Sequence, residues 1–249
     1  MAVTVQRQTP FVVLDEGDTI VGVGSAAASH FGPLVGSVMW DCFPGSEPLF
    51  KPYYDTARRT GNEDLFTQMA DENVAALNAV KAKVIVTTCP HCFHTIANEY
   101  PQFGGSYVVK HHTEFISELI RDGKLIVESK SDSPVTYHDP CYLGRHNGIF
   151  DQPRSLIKMA AANLIEPERT RNNSFCCGAG GGQFWKDEEK GKERVSTNRF
   201  RELKQTGAQT VATGCPFCLR MLTEETAKEE DSPLEVFDIA ELVAKSIRK

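Results

Sequence analysis

Residues 82–96 read AKVIVTTCPHCFHTI, and residues 208–222 read AQTVATGCPFCLRML. The second stretch repeats the first at an offset of 126 residues. In each, a short apolar run, Val84–Val86 or Val211–Ala212, enters a Cys-Pro-x-Cys turn. Short apolar runs bounded by turn signals read as buried strands of a parallel sheet. The similarity extends outward. Upstream of the first copy a helix is predicted from about Glu63 to Val80, with Leu65, Met69, Val74 and Leu77 near one face and Asn62 as its N-cap. Upstream of the second, a helix from about Glu193 to Gln205 carries Val195, Phe200 and Leu203 and stops at Gly207. Downstream, Glu114-Phe115-Ile116 and Ile120-Arg121 match Glu241-Leu242-Val243 and Ile247-Arg248, the offset having grown by one.

The repeating unit is therefore helix, strand, Cys-Pro-x-Cys, helix, strand, helix. This alternation predicts the α/β class, with two pseudo-repeated α/β halves built on short parallel sheets flanked by helices. The first half spans residues 51–128 and the second 134–249. Residues 1–50 are divergent: Gly22, Gly24, Ala26–Ala28, Gly32 and Gly36 suggest loops or loosely packed elements, and Gly22-Val23-Gly24 lacks the third glycine of a nucleotide loop. Each Cys-Pro-x-Cys falls where a strand ends and a helix begins. Open sheets bind ligands at that end of their strands, and a helix N-terminus favours thiolate and anionic groups.

Composition sets the frame. The chain has 249 residues, 41% hydrophobic and 24% charged, with a formal net charge of −6. That charge argues against nucleic acid or an anionic membrane as a general partner. No apolar run reaches the roughly 18 residues of a membrane helix. The N-terminus lacks the order of a signal peptide, since Asp15, Glu16 and Asp18 interrupt it. A cytoplasmic location is expected, where clustered cysteines hold metal or do redox work more often than they form disulfides.

The eight cysteines are 42, 89, 92, 141, 176, 177, 215 and 218. Five lie in the second half. Cys141 follows the strand candidate Val135–His138, the Cys176–Cys177 pair opens the run CCGAGGG, and Cys215 and Cys218 close the second Cys-Pro-x-Cys. Five thiols are one more than a tetrahedral zinc or an ordinary four-cysteine cluster requires. Adjacent cysteines seldom close a disulfide on each other, yet they can reach two irons of one cluster. Gly178 and Gly180 would let backbone approach closely and aim N–H groups at sulfur.

The segments HDPCYLGRHN, NSFCCGAGGGQFW and CPFC resemble the duplicated cysteine-rich domain of the heterodisulfide reductase B-type subunits. They also resemble relatives among the iron–sulfur oxidoreductases, including glycolate and glycerol-3-phosphate oxidase iron–sulfur subunits. The resemblance covers about residues 53 to 249. It implies that Cys141, Cys176, Cys177, Cys215 and Cys218 ligate a non-cubane [4Fe-4S] cluster. It implies electron transfer between a flavoprotein dehydrogenase or electron-transfer flavoprotein and a quinone or disulfide. A membrane-bound quinone-reducing protein and a peripheral position on the inner face of the plasma membrane are part of the same expectation. Larger relatives carry transmembrane helices and ferredoxin-type motifs upstream. This sequence does not contain them and reads as a truncated or rearranged form.

The first half departs from the pattern. Positions 50 and 51, where a cysteine pair would fall, are Phe50 and Lys51. Only Cys89 and Cys92 stay in register, so no intact non-cubane cluster is expected there. A zinc held by Cys89, Cys92, Cys42 and one of His91 or His94 is an alternative to two unliganded thiols. Cys-Pro-His-Cys is also a thiol–disulfide oxidoreductase motif. A zinc-binding structural module, with zinc in place of the cluster, is a further reading of the C-terminal set. His111–His112 read as polar residues at a helix start, Arg145 and His146 as charge near the centre or ordinary surface, and Trp185 as packing near the glycine loop. The charged run Lys186–Arg194 reads as a solvated helix face.

Overall fold

The computed structural model describes residues 11–15, 18–23, 54–81, 84–186, 191–228 and 234–247. The chain divides into two compact units, Met1–His112 and Thr113–Lys249.

In the first unit the strands β1 (Phe11–Asp15) and β2 (Asp18–Val23) form an antiparallel hairpin. Helices α1 (Tyr54–Arg59) and α2 (Glu63–Val80) follow. Asn62 caps α2 as expected, its side-chain oxygen accepting from the Leu65 N–H at 3.1 Å. Then come β3 (Val84–Thr87), α3 (Pro90–His94) with a π turn and a 3-10 turn running on to Phe103, and β4 (Val108–His111). The sheet order is β1-β2-β3-β4, with β2, β3 and β4 parallel. Gly22, read from sequence as part of a loop, lies in β2 opposite Val86. The glycine is tolerated because the strand gains a full ladder against β3.

The second unit begins within α4 (His112–Arg121) and continues β5 (Val135–Tyr137), α5 (Asp151–Ala160), β6 (Leu164–Ile165), α6 (Val195–Lys204), β7 (Thr210–Thr213), α7 (Pro216–Thr226), β8 (Glu235–Asp238) and α8 (Ile239–Ser246). Its four strands are all parallel, in the order β6-β5-β7-β8. A parallel sheet must be covered on both faces. Here Val135, Tyr137 and Ala212 face a core with Leu156 and Ile157 of α5, Val243 of α8 and Ile116 of α4. Val211, the neighbour of Ala212, points to the opposite core with Phe200, Leu203 and Leu222. Successive β7 residues thus serve two layers, as the alternation of a strand requires.

The repeat is visible in the pairing. Val84 pairs with Val108 in the first unit, and Thr210 pairs with Glu235 in the second. The extra residue between β7 and β8 accounts for the offset that grows by one. Both Cys-Pro-x-Cys motifs stand at a strand-to-helix turn. Cys89 and Cys215 are extended N-cap residues, and the prolines after them open the helices. Proline suits that position because its missing N–H would have no helical partner.

Three local readings change. Residues 187–190 of the charged run lie outside the described residues; Lys186 and residues 191–194 are not helical, and α6 starts at Val195, after Arg194 in extended conformation. His111 and His112 do mark a strand end and a helix start, but they are buried, with ring centroids 4.2 Å apart. Helix α8 ends at Ser246, so Ile247 instead bridges to Val127.

Candidate metal centre

The carboxyl ends of β5 and β7 deliver the first cysteines. Pro140 follows β5 and opens a tight turn, its carbonyl accepting from Leu143 and Gly144 at 3.1 and 3.0 Å. Cys141 rides on that turn. A Cβ at Gly144 would sit 2.4 Å from the Phe150 ring, so any larger residue there must displace that ring. Cys215 caps α7, and Cys218 lies one turn inside it. The Cys176–Cys177 pair arrives on the loop between Asn173 and Gly178.

The loop is fixed by Asp139. Its carbonyl accepts from the Ser174 hydroxyl at 3.0 Å, and its carboxylate accepts from the Arg171 N–H at 2.8 Å. Arg145 donates to the Ser174 carbonyl at 2.6 Å. Asp139 is itself held by a two-pronged contact from Arg154 on α5, both bonds 2.8 Å, and Arg154 also donates to Glu166 and Thr170. The carboxyl of Asp139 is pushed up by burial, but the Arg154 and Arg171 hydrogen bonds outweigh this and hold it below its usual range. One buried ion pair therefore ties the Cys141 turn to the Cys176–Cys177 loop.

The sulfurs gather on Cys177. Its Sγ lies 3.3 Å from that of Cys218, and it shares hydrogen bonds with Cys176 and with the His138 ring. Cys218 in turn is hydrogen-bonded to Cys215. Cys141 is close enough to feel the charge of Cys177, while Arg145 opposes that effect. The contacts from Cys176, Cys218 and His138 hold the Cys177 thiol well down, and the same contact with Cys177, together with burial, pushes Cys176 up. Cys177, Cys215 and Cys218 are buried beside Ala179 and Met221, and Phe184 and Phe217 pack against them. Phe184 and Phe217, not Trp185, are the aromatic residues against this group. Trp185 is exposed and meets Phe184 edge-on. His146 stacks on Tyr142.

In the first unit Cys89 and Cys92 are both buried, with the Cys89 sulfur 3.6 Å from Nδ1 of His91. Cys42 lies outside the described residues. Among the described residues, the one cluster of at least three metal-ligating atoms is His138, Cys177 and Cys218, so none closes around Cys89 and Cys92. Among them, too, no helix is long and apolar enough to cross a membrane.

Residues 55–97 and 135–223 match the family described as CCG, Cysteine-rich domain. The chain belongs to this family. It is 40% identical over 200 residues to the EtfAB:quinone oxidoreductase of Syntrophomonas wolfei, covering 78% of this chain and 28% of that protein. It is 41% identical over 195 residues to the probable iron-sulfur-binding oxidoreductase FadF of Bacillus subtilis, with the same coverage. To the D-type subunit of the dihydromethanophenazine:CoB–CoM heterodisulfide reductase of Methanosarcina acetivorans it is 33% identical over 198 residues, covering 76% of this chain and 47% of that one. The chain thus spans between about a quarter and a half of the length of these relatives. An Asp/Glu racemase from Yersinia pestis overlays 90% of this chain and 95% of its own at 15% identity, with a TM-score of only 0.38, which supports no argument.

Within the cysteine-rich domain the two singled-out glycines differ. Gly178 has φ +97°, and a Cβ there would meet Met221 at 3.3 Å and the Ser196 nitrogen at 3.4 Å. Its N–H donates to the Cys176 sulfur at 3.3 Å. Around Gly180 a Cβ would meet nothing within 4 Å. Gly178→Ala is therefore expected to cost about 1–3 kcal/mol, and Gly180→Ala less than about 0.5 kcal/mol, measured by urea unfolding of the metal-free protein. Equal costs at both positions would contradict this reading.

Four residues of the site carried no signal of their own role in the sequence: His138, Asp139, Arg154 and Arg199. His138 and Asp139 sit inside the HDPC segment. Their partners Arg199 and Arg154 lie 61 and 15 residues away, and nothing local marks them.

Proposed function

We propose that Cys141, Cys176, Cys177, Cys215 and Cys218 hold a [4Fe-4S] cluster of the non-cubane type. The chain would then be the iron–sulfur electron-transfer part of an oxidoreductase. The observation that carries this reading is the set of sulfurs around Cys177: Cys176 and Cys218 touch it, Cys215 touches Cys218, and Cys141 lies near enough to feel its charge. Soft thiolates select zinc or iron–sulfur cores, and a set of five suits a multi-iron core better than one tetrahedral ion. When bound, the cluster supplies one-electron redox chemistry.

The chain's own residues do the rest. Asp139 and Arg154 fix the two cysteine-bearing loops. The Gly178 N–H meets the Cys176 sulfur, and Gly180 leaves room beside it. Phe184 and Phe217 keep water from the buried side, while half-buried Cys141 and Cys176 form the open side through which electrons would pass.

The named relatives support the electron partners of this reading. One name contains a quinone, another a heterodisulfide, and a third, 39% identical, is a probable membrane-anchored ferredoxin of Chromohalobacter salexigens. A flavoprotein donor, a quinone or disulfide terminus, and a place on the cytoplasmic side at or near the membrane are the corresponding proposals.

The test is metal analysis with electron paramagnetic resonance on anaerobically reconstituted protein. A brown protein with about four irons per chain is the expected result. Stoichiometric zinc and no colour would replace the cluster with a zinc module. A dithiol couple that survives metal removal but not Cys89→Ser would move the redox function to Cys89–Cys92.

A further inference from the structure

His138, Cys177 and Cys218 bring their ligating atoms within 4.8 Å of one another, a grouping small enough for a single ion. The hydrogen bonds around His138 decide whether it is a ligand. Its backbone N–H donates to Ala212 at 2.9 Å, prolonging the β5–β7 ladder and fixing the residue at the strand end. Arg199 on α6, fully buried, donates from Nε to His138 Nδ1 at 3.0 Å. Nε of a guanidinium always carries hydrogen, so Nδ1 must be the acceptor and holds a lone pair. The ring hydrogen then sits on Nε2. The ring's other polar neighbour is the Cys177 sulfur, within 4.8 Å of its ligating nitrogen and hydrogen-bonded to it. With Nδ1 occupied, that bond is Nε2–H to Sγ. A nitrogen bearing hydrogen has no lone pair for a metal. The tight trio is thus two sulfurs and one donor.

Arg199 is well placed to enforce this. Its Nη1 donates to Glu202 at 2.9 Å and to the Arg169 carbonyl at 3.0 Å. Glu202 is anchored in turn by the Arg169 backbone N–H at 2.7 Å and by its Nε at 3.0 Å. The guanidinium cannot swing away without breaking a buried ion pair.

We propose that His138 is a fixed N–H donor to the Cys177 sulfur, locked in that tautomer by Arg199, and that the pair sets the reduction potential of the centre. Arg199 is a positioning residue. The second half of the proposal rests on the cluster reading above, whereas the tautomer lock does not. An N–H aimed at a ligating sulfur draws off negative charge, and the reduced centre carries one more negative charge than the oxidised one. The donor therefore favours reduction and raises the potential.

Two measurements on the full chain test this. In the reduced, metal-free protein, ring ¹⁵N shifts should show His138 protonated at Nε2 and bare at Nδ1, with Arg199→Lys releasing a mixture of tautomers. A ring protonated at Nδ1 in the wild type would overturn the lock, whether or not iron binds. In the anaerobically reconstituted protein, a redox titration followed by electron paramagnetic resonance should show His138→Leu keeping its iron while its reduction equilibrium falls about tenfold, or about 59 mV for one electron. His138→Gln, whose amide can still donate, should recover most of that shift. Arg199→Lys should move the potential in the same direction as His138→Leu and keeps the test open if the leucine variant does not fold. Unchanged potentials at full iron would defeat the tuning role. Loss of iron in both His138 variants, with an altered resonance signal, would make His138 a ligand instead. A wild type that takes up no iron would defeat the cluster reading alone, leaving the tautomer result standing.

Discussion

Replacing Cys177 by serine is expected to strip the C-terminal centre of its metal, taking bound iron from about four per chain to less than about one. The other four proposed ligands sit on three separate turns; Cys176, Cys215 and Cys218 contact Cys177 or a cysteine that does, and Cys141 feels its charge. Serine keeps the shape but offers a hard oxygen where a soft sulfur is needed. It also leaves Cys176 and Cys218 without the sulfur they now share. Cys92→Ser, in the first unit, should leave iron unchanged. Iron and sulfide analysis with electron paramagnetic resonance on parallel reconstitutions reads both results. Wild-type iron in Cys177→Ser and in Cys176→Ser together would rule out the assignment of ligands.

The second large effect is on stability. Arg154→Met is expected to destabilise the second unit by about 3–5 kcal/mol, because it strands a buried carboxylate. The side chains of Arg154 and Asp139 are 5% and 3% exposed, and the ion pair is made through both carboxylate oxygens. Arg154→Lys retains charge but not the fork, so it should fall between the two. An exposed pair such as Arg121–Asp122 gives the contrast, since breaking it should cost less than about 1 kcal/mol. Urea midpoints at neutral pH separate these cases. A near-neutral Arg154→Met would mean that the Asp139 network is not what fixes the cysteine loops.

The sequence and the structure agree where short-range signals act. Asn62 and the spacing of Met69, Val74 and Leu77 announce α2 almost to the residue, because capping and periodicity are local. The Cys-Pro-x-Cys turns are equally legible, since the proline and the preceding β-branched run allow one arrangement. The hairpin at residues 11–23 is not legible. Its glycine reads as a breaker until β3 supplies a ladder. Residues 191–194 mislead for the opposite reason: their mixed charge suits a helix face, but α6 starts only at Val195. At the site, cysteine spacing is enough to nominate five residues. The Asp139–Arg154 and His138–Arg199 contacts escape it, because they join residues that only the folded sheet brings together. Phe184 displaces Trp185 for a similar reason: the turn after Gly182 decides which ring faces inward.

Helix α4 has a practical implication. By sequence it closes the first repeat, yet Ile116 and Ile120 are packed with Val135, Leu156 and Val243. A fragment begun at residue 134, the apparent repeat boundary, would expose that face and leave a hole under α5 and α8. Anyone wishing to isolate the five-cysteine half should start the gene no later than Thr113. In this protein the repeat read from the sequence and the unit that folds are offset by one helix.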